Sequence, residues 1–382
     1  MSGLSVGYVL GTTGGGTGRH VAMLADGVAA EGVAVTVYAP PSVRRWLADR
    51  DGAAAAGGKL WDFVPVDIAD SPRPIRDAAA TLRLRGLLAA KAPGVVHAHG
   101  LRAGAAAALA LAGGAARRTA LAVTVHNGPP SGAGAAMVYA GLERLVASRA
   151  DAVLTVSGDL ADRMRRLGAR DAGRAVVPAE TGAPPGAAIA ADLRSELGAM
   201  DRPIVLAVGR LAEQKGLSTL LTAAARWQYR RPVPLLVIAG EGPLASLLAE
   251  QARVQGVAVM FLGNRADVPA LLAAADVVVV PSVWEGQPLI VQEALRAGRP
   301  LVASRVGGIP DLTGLGGALL VPPSDPAQLA AAVTRVLDRP DLAATLSAAA
   351  SARAQLLPTR EQAIQQAMSL YRRLSAERGA RP

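Results

Sequence analysis

Short β-branched runs recur along the chain in two series, and each gap between them is long enough for about one helix. The first series covers residues 4–10, 34–39, 59–66, 94–99, 121–126, 152–157 and 175–178; the second covers 204–209, 234–240, 259–263, 277–282, 301–304 and 318–321. Several of these runs are continuously apolar rather than alternating, which is what a parallel sheet covered on both faces requires. Helical patterns such as 19–31 and 77–92 fill the gaps. An Ala/Gly/Pro-rich stretch, 179–191, separates the two series and reads as a linker. The expected fold is therefore α/β: two tandem doubly wound, Rossmann-like domains with an interdomain crevice. The expected divisions are 1–181, 182–357 and a C-terminal helix, 358–382, capped by Thr359 with Gln362 and packing back toward the first domain.

Composition removes whole classes of chemistry. The 382 residues are 51% hydrophobic but only 3% aromatic, so the cores must be Ala, Val and Leu. With no cysteine there is no disulfide, thiolate metal site, iron–sulfur cluster or Cys nucleophile. The net charge is +10, yet no Lys/Arg block is interleaved with aromatics, so nucleic acid is not an expected partner. A diffuse positive field suits an acidic small molecule or an anionic lipid surface better. Arg44, Arg45, Arg73, Arg76, Arg83, Arg85, Arg117 and Arg118, with Trp46 and Leu47 beside the first pair, raise the expectation of peripheral contact with an anionic membrane. Residues 1–13 lack the basic start of a signal peptide, and the bland run 103–116 is too short to cross a bilayer, so the expected location is cytoplasmic. The sequence is silent on oligomeric state.

Several familiar motifs fail on inspection. The loop Gly11-Thr-Thr-Gly-Gly-Gly-Thr-Gly18 is not a dinucleotide fingerprint, because Arg19 stands where the third glycine belongs and no acid follows at Tyr38-Ala39-Pro40. It is not a P-loop either, since Thr17 replaces the lysine. What survives is a glycine turn whose N–H groups can approach an anion. His97-Ala-His99 looks like a metal pair, but no histidine follows His126 to complete a site, so no metal is expected. Asp49-Arg-Asp51 reads as a solvated pair, and Ser157 lacks the glycines of a nucleophile elbow. His97, His99 and His126 fall at strand carboxyl ends and His20 follows the glycine turn, so the first domain is expected to present a histidine-lined rim.

The second domain carries more specific chemistry. Its first strand ends in Gly209-Arg210, with Lys215-Gly216 five residues on, a pair of cations suited to a diphosphate. Only Lys59, Lys91 and Lys215 are lysines among 40 cations, which sets Lys215 apart from general basicity. After the fourth strand comes Glu285, then Pro288 as a first helical residue, the N–H groups of Leu289 and Ile290, and Glu293 inside the helix. Two carboxylates so placed favour the helix dipole, but each can also accept two sugar hydroxyls. A ligand with a hexose, a ribose and a diphosphate between them fits this set.

With Glu285-x7-Glu293, Gly209-Arg210…Lys215-Gly216, Gly240-Glu-Gly-Pro243 and Gly307-Gly-Ile-Pro310 in order, the sequence resembles the family 4 (group 1) glycosyltransferases, retaining enzymes of the GT-B fold. Gly15-Gly16-Thr-Gly-Arg-His20, Val96-His97-Ala-His99 and Thr124-Val125-His126 fit as well, and the likeness spans roughly residues 3–340. The resemblance implies that Arg210 and Lys215 hold the donor diphosphate, Glu293 the ribose, and Glu285 the transferring sugar. It further implies that His126 reaches that sugar and that Gly16 offers its amide to the phosphate, with His20, His97 and His99 on the acceptor side. It implies hexosyl transfer from a nucleotide sugar, as co-substrate with no cofactor and no metal, to an acceptor the sequence does not identify. Front-face attack is the expected route to retention, because no carboxylate at a strand end of the first domain offers itself as a nucleophile. A sugar-nucleotide epimerase and a catalytically silent sugar-nucleotide-binding subunit are the alternatives. Two departures stand out: Pro178-Ala-Glu-Thr-Gly182 where the family often has Pro-Asn-Gly-Val-Asp, and Asp311 in place of Glu.

Overall fold

A computed structural model describes residues 3–12, 15–44, 60–69, 72–113, 118–129, 133–179 and 185–380. The chain divides into two compact units, Met1–Val177 with Pro358–Pro382, and Pro178–Leu357. The second unit thus begins four residues ahead of the expected 181/182 break. Ala179 belongs with it because its N–H donates to Gln292 and its carbonyl accepts from Arg296, both on the helix Leu289–Arg296.

The first unit is built on seven strands: β1 (Ser5–Leu10), β2 (Ala34–Ala39), β3 (Asp62–Pro65), β4 (Val95–His99), β5 (Ala120–Val125), β6 (Ala152–Thr155) and β7 (Ala172–Arg174). They lie in the order β3-β2-β1-β4-β5-β6-β7, every pair parallel. β4 and β5 are buried along their whole length, which explains their unbroken apolar pattern. The last strand sits three residues before the expected 175–178. Beyond Arg174 the side-chain amide of Gln366 brackets the backbone, donating to the Arg174 carbonyl and accepting from Val176 N–H, so the chain leaves the sheet there. Gln366 lies on the C-terminal helix Arg360–Gly379, which opens with the expected Thr359/Gln362 capping box. That helix buries Ala363, Ala367, Met368, Tyr371 and Leu374 in the same core as β1 and the helix Gly15–Ala30.

The second unit has six strands: β8 (Ile204–Val208), β9 (Leu235–Ala239), β10 (Val259–Phe261), β11 (Val277–Val280), β12 (Leu301–Ser304) and β13 (Leu319–Val321). Their order is β10-β9-β8-β11-β12-β13, again all parallel. Each sheet therefore reverses its winding once, between β1 and β4 in the first unit and between β8 and β11 in the second. In doubly wound sheets ligands bind outside the strand carboxyl ends at that reversal. No helix among the described residues is long and apolar enough to cross a membrane.

Candidate active site

In the second unit, the loops leaving β8 and β11 enclose a cleft lined by Gly209, Lys215, Ser282, Glu285 and Ile290 over an apolar floor from both strands. Lys215 closes a short 3-10 turn, Glu213–Lys215, and its aliphatic stem lies against Gly209. Its Nζ is 2.5 Å from Glu285 Oε1, and Ser282 Oγ donates to the same oxygen at 2.8 Å. The Glu285 side chain is only 6% exposed against 27% for Lys215, so the carboxylate is desolvated and its partner faces the cleft. Among the described residues Oε2 of Glu285 has no protein partner. Arg210, the residue after the lining Gly209, is exposed, and its guanidinium has no partner among the described residues.

Two glycines explain how these loops approach so closely. Gly216 has φ +62°, and a Cβ there would collide with the Pro281 carbonyl oxygen. Gly307 has φ +48°, and a Cβ there would collide with the carbonyl oxygen of Glu285; Gly308 N–H donates to that same oxygen at 3.0 Å. The Gly-Gly-Ile-Pro segment thus fixes Glu285 from behind. Pro288 is the residue before the helix Leu289–Arg296, with ψ 120°, rather than its first member. Leu289 and Ile290 are consequently the first two helical positions, whose N–H groups have no intrahelical acceptor. Glu293 is half-buried one turn further in. Ser282 and Gln214, which donates to the Trp284 carbonyl at 2.9 Å, were not singled out from sequence. Ser282 stood at the end of an expected strand and carried a signal only by its place.

The first unit gathers all four histidines at the carboxyl edge of its sheet. Ring centroids are 4.3 Å apart for His97 and His99, 5.3 Å for His99 and His126, 5.9 Å for His20 and His99, and 6.1 Å for His20 and His126. Burial away from water pushes His97 down to about 3 and His126 to about 4, and holds His20 and His99 well below the ordinary histidine range. All four are therefore neutral at pH 7.

His97 requires a correction. It is 1% exposed, with Nδ1 2.6 Å from the Tyr371 hydroxyl and Nε2 2.7 Å from Thr124 Oγ1. Tyr371 in turn donates to Tyr8 at 3.0 Å. Both nitrogens are spent inside the protein, so His97 is a core residue and not part of an acceptor-facing rim. Tyr371 lies 274 residues away in sequence, which is why nothing local announced the bond. The helix expected from residue 19 begins at Gly15, which places Gly16 in its first turn as a free-end donor and His20 deeper in the helix than its expected second position.

Two family models match: "Glycosyl transferase 4-like domain" over residues 15–180 and "Glycosyl transferases group 1" over 202–339. An alpha-maltose-1-phosphate synthase of Mycolicibacterium smegmatis is 32% identical over 64% of this chain and 68% of its own length. The chain belongs to the group 1 glycosyltransferases.

Within this family the first unit is the 4-like domain and the second the group 1 domain. An alpha-D-kanosaminyltransferase of Streptomyces kanamyceticus is 36% identical over 40% of this chain, and the match spans less than half, 41%, of that protein. A solved Anabaena protein, HepE, in complex with UDP and glucose, superposes with a TM-score of 0.78 at 21% identity, covering 96% of this chain and 99% of its own. That likeness shows the two-domain GT-B fold. The second unit's cleft unites Lys215, Glu285 and Ile290 in one lining; Arg210, Leu289 and Glu293 are not among its lining residues, though Arg210 and Leu289 adjoin the lining Gly209 and Ile290 in the chain. The first unit unites His20, His99 and His126, and Gly16 lies in the first turn of the helix that carries His20.

Proposed function

We propose that this chain transfers a hexosyl unit from a nucleoside-diphosphate sugar to a hydroxyl-bearing acceptor, with retention at the anomeric carbon. The Lys215–Glu285 pair carries the reading: a cation and a buried carboxylate held 2.5 Å apart at the winding reversal of the second sheet. A sugar diphosphate presents an anion joined to hydroxyls, and this pair offers the complement of both. Lys215 and Arg210 take the diphosphate, which is already a weak base and leaves when its growing charge is met by fixed cations. The N–H groups of Leu289 and Ile290 add donors at the positive end of a helix dipole. Glu285 Oε2 accepts from the sugar and Glu293 from the ribose, while the Gly16 amide N–H donates to the phosphate. His126, neutral, meets the transferring sugar by hydrogen bonding.

Retention follows from front-face attack, in which the departing phosphate oxygen takes the acceptor proton as the new glycosidic bond forms. The cationic pair supplies the charge that a metal supplies in other transferases, so transfer is expected to persist in EDTA. Support comes from relatives named as an alpha-D-kanosaminyltransferase and an alpha-maltose-1-phosphate synthase, and from the neighbour solved with UDP and glucose. The test is a thermal-shift panel of nucleotide sugars followed by product analysis. A bound donor raises the melting temperature through RT ln(1 + [L]/Kd). No shift with any donor, and no donor hydrolysis, would overturn the assignment.

A peripheral membrane contact is proposed for the first unit. The helix Pro74–Lys91 exposes Ile75 and Leu82, 87% and 66% accessible and seven residues apart on one face, with Arg76 and Arg83 beside them. Arg73 and Arg44 are exposed too, Arg44 lying over the Phe63 ring, whereas Arg85 donates to the Ala112 carbonyl. Arg45, Trp46, Leu47 and Arg117 lie outside the described residues, as does the Asp49–Asp51 pair. Co-sedimentation with anionic against neutral vesicles separates docking from a scattered charge.

A further inference from the structure

His97 and His99 share one face of β4, two residues apart, but they are satisfied differently. Both nitrogens of His97 are bonded within the core. His99 Nδ1 lies 3.1 Å from His126 Nε2, while its own Nε2 is buried without a partner. Two neutral imidazole nitrogens at that separation bond only if one of them carries a proton and the other a lone pair. If His99 is protonated on Nε2, that N–H is a buried donor without a protein partner, a rare defect in folded proteins. If the proton is on Nδ1, the bond to His126 forms and the orphan is only a lone pair, the cheaper of the two.

We propose that His99 is a positioning residue that holds His126 in the Nδ1–H tautomer by donating its own Nδ1–H to His126 Nε2. The ring planes are only 26° apart with centroids 5.3 Å apart, as an in-plane N–H···N bond between edges requires. The neighbouring backbone is pinned as well: the Tyr139 hydroxyl donates to the Asn127 carbonyl, and Gly100 N–H donates to the Thr124 carbonyl. Burial keeps both rings uncharged at pH 7, so the count of one shared proton holds. With Nε2 consumed, His126 has only an N–H donor to offer. It therefore serves substrate as a hydrogen-bond donor and not as a general base. This consequence for catalysis rests on His126 meeting the transferring sugar; the tautomer itself does not.

The full chain carries four histidines, so ring-15N-histidine labelling gives four spin systems in a two-bond nitrogen–proton spectrum. His126→Gln identifies the signals of residue 126. In the wild type at pH 7.5 they should show the proton on Nδ1. His99→Asn should keep that pattern, because its amide N–H stands where Nδ1–H stood. His99→Gln, whose amide reaches the Nε2 position, and His99→Leu, which has no donor, should move residue 126 to the Nε2–H form or a mixture. The rate should follow the tautomer, with kcat down about tenfold in the Gln and Leu variants and within about twofold in Asn. A wild-type His126 protonated on Nε2 overturns the proposal, as do Asn and Gln variants with the same tautomer. The wild-type spectrum decides even where a variant does not fold. If His126→Gln leaves transfer unchanged, the role given to His126 fails while the tautomer result stands.

Discussion

The two units share a strand order and a winding reversal, yet their carboxyl edges solve opposite problems. At the second unit's edge a partly exposed lysine is held against a buried carboxylate, and the exposed Arg210 follows the lining Gly209. At the first unit's edge burial has removed charge altogether: all four imidazoles are neutral, three of them and two tyrosines are hydrogen-bonded, and His20 packs edge-on against His99 and His126. On the proposed function one edge meets an anion and the other meets hydroxyl groups. The lesson is that fold alone assigns neither role, since the same scaffold carries both.

Lys215→Ala tests the charged edge and should have the largest effect. Transfer should fall by about 10²–10³-fold, the loss expected for removing a donor that meets developing charge. The melting temperature should shift by only a few degrees, because Ser282 still donates to Glu285. Activity within threefold of wild type would break the contrast between the units. Glycine substitution sharpens it. Gly15 and Gly307 both have positive φ, but a Cβ at Gly15 meets open space while one at Gly307 meets the Glu285 backbone. Gly15→Ala should cost about 1 kcal/mol of stability in strain alone, and Gly307→Ala about 3 kcal/mol together with most activity. Denaturant titration of both variants reads the difference.

Acid should separate the units next. All four histidines lie in the first unit, with folded values pushed below the unfolded value of about 6.5. The unfolded state then binds more protons, so this stability is fully present above pH 6.5. It is lost as pH falls toward the folded values of about 4 for His126 and about 3 for His97. Between pH 7 and 5 each such histidine should cost the first unit about 2 kcal/mol. Hydrogen exchange corrected for intrinsic rates should show the first unit opening first on acidification. Equal loss in both units would mean that the histidines are not the acid-sensitive element. The smallest effect concerns the outer face: Arg76→Ala and Arg83→Ala should each weaken binding to anionic vesicles by about 1 kcal/mol at low salt. No vesicle binding by the wild type at low salt would remove the membrane proposal.

Both sheets were legible in the sequence because parallel strands buried on two faces leave unbroken apolar runs. The boundaries slipped where side chains from afar decide them, as Gln366 does at β7 and Gln292 at Ala179. In the second unit the site was legible because its charges are rare and its loops short. Lys215 stood out against a background of arginine, and Gly216 and Gly307 marked close approaches that only a missing Cβ permits. In the first unit position was legible but burial was not. His97 and His99 look alike in sequence, yet Tyr371 and Thr124 turn one of them into core. Thr124 is a cross-strand neighbour of His99, and Tyr371 comes from the far end of the chain, so no pattern around residue 97 reports them.

The central claim is that the nucleoside diphosphate of the donor binds the charged edge of the second unit. Hydrogen exchange of the full chain, read by peptide mass spectrometry with and without saturating UDP, GDP or ADP, tests it most directly. With the nucleotide that binds, protection should concentrate in the peptides covering residues 209–217 and 282–293 and should vanish in Lys215→Ala. Protection confined to the histidine edge of the first unit, or none with any of the three, would contradict it.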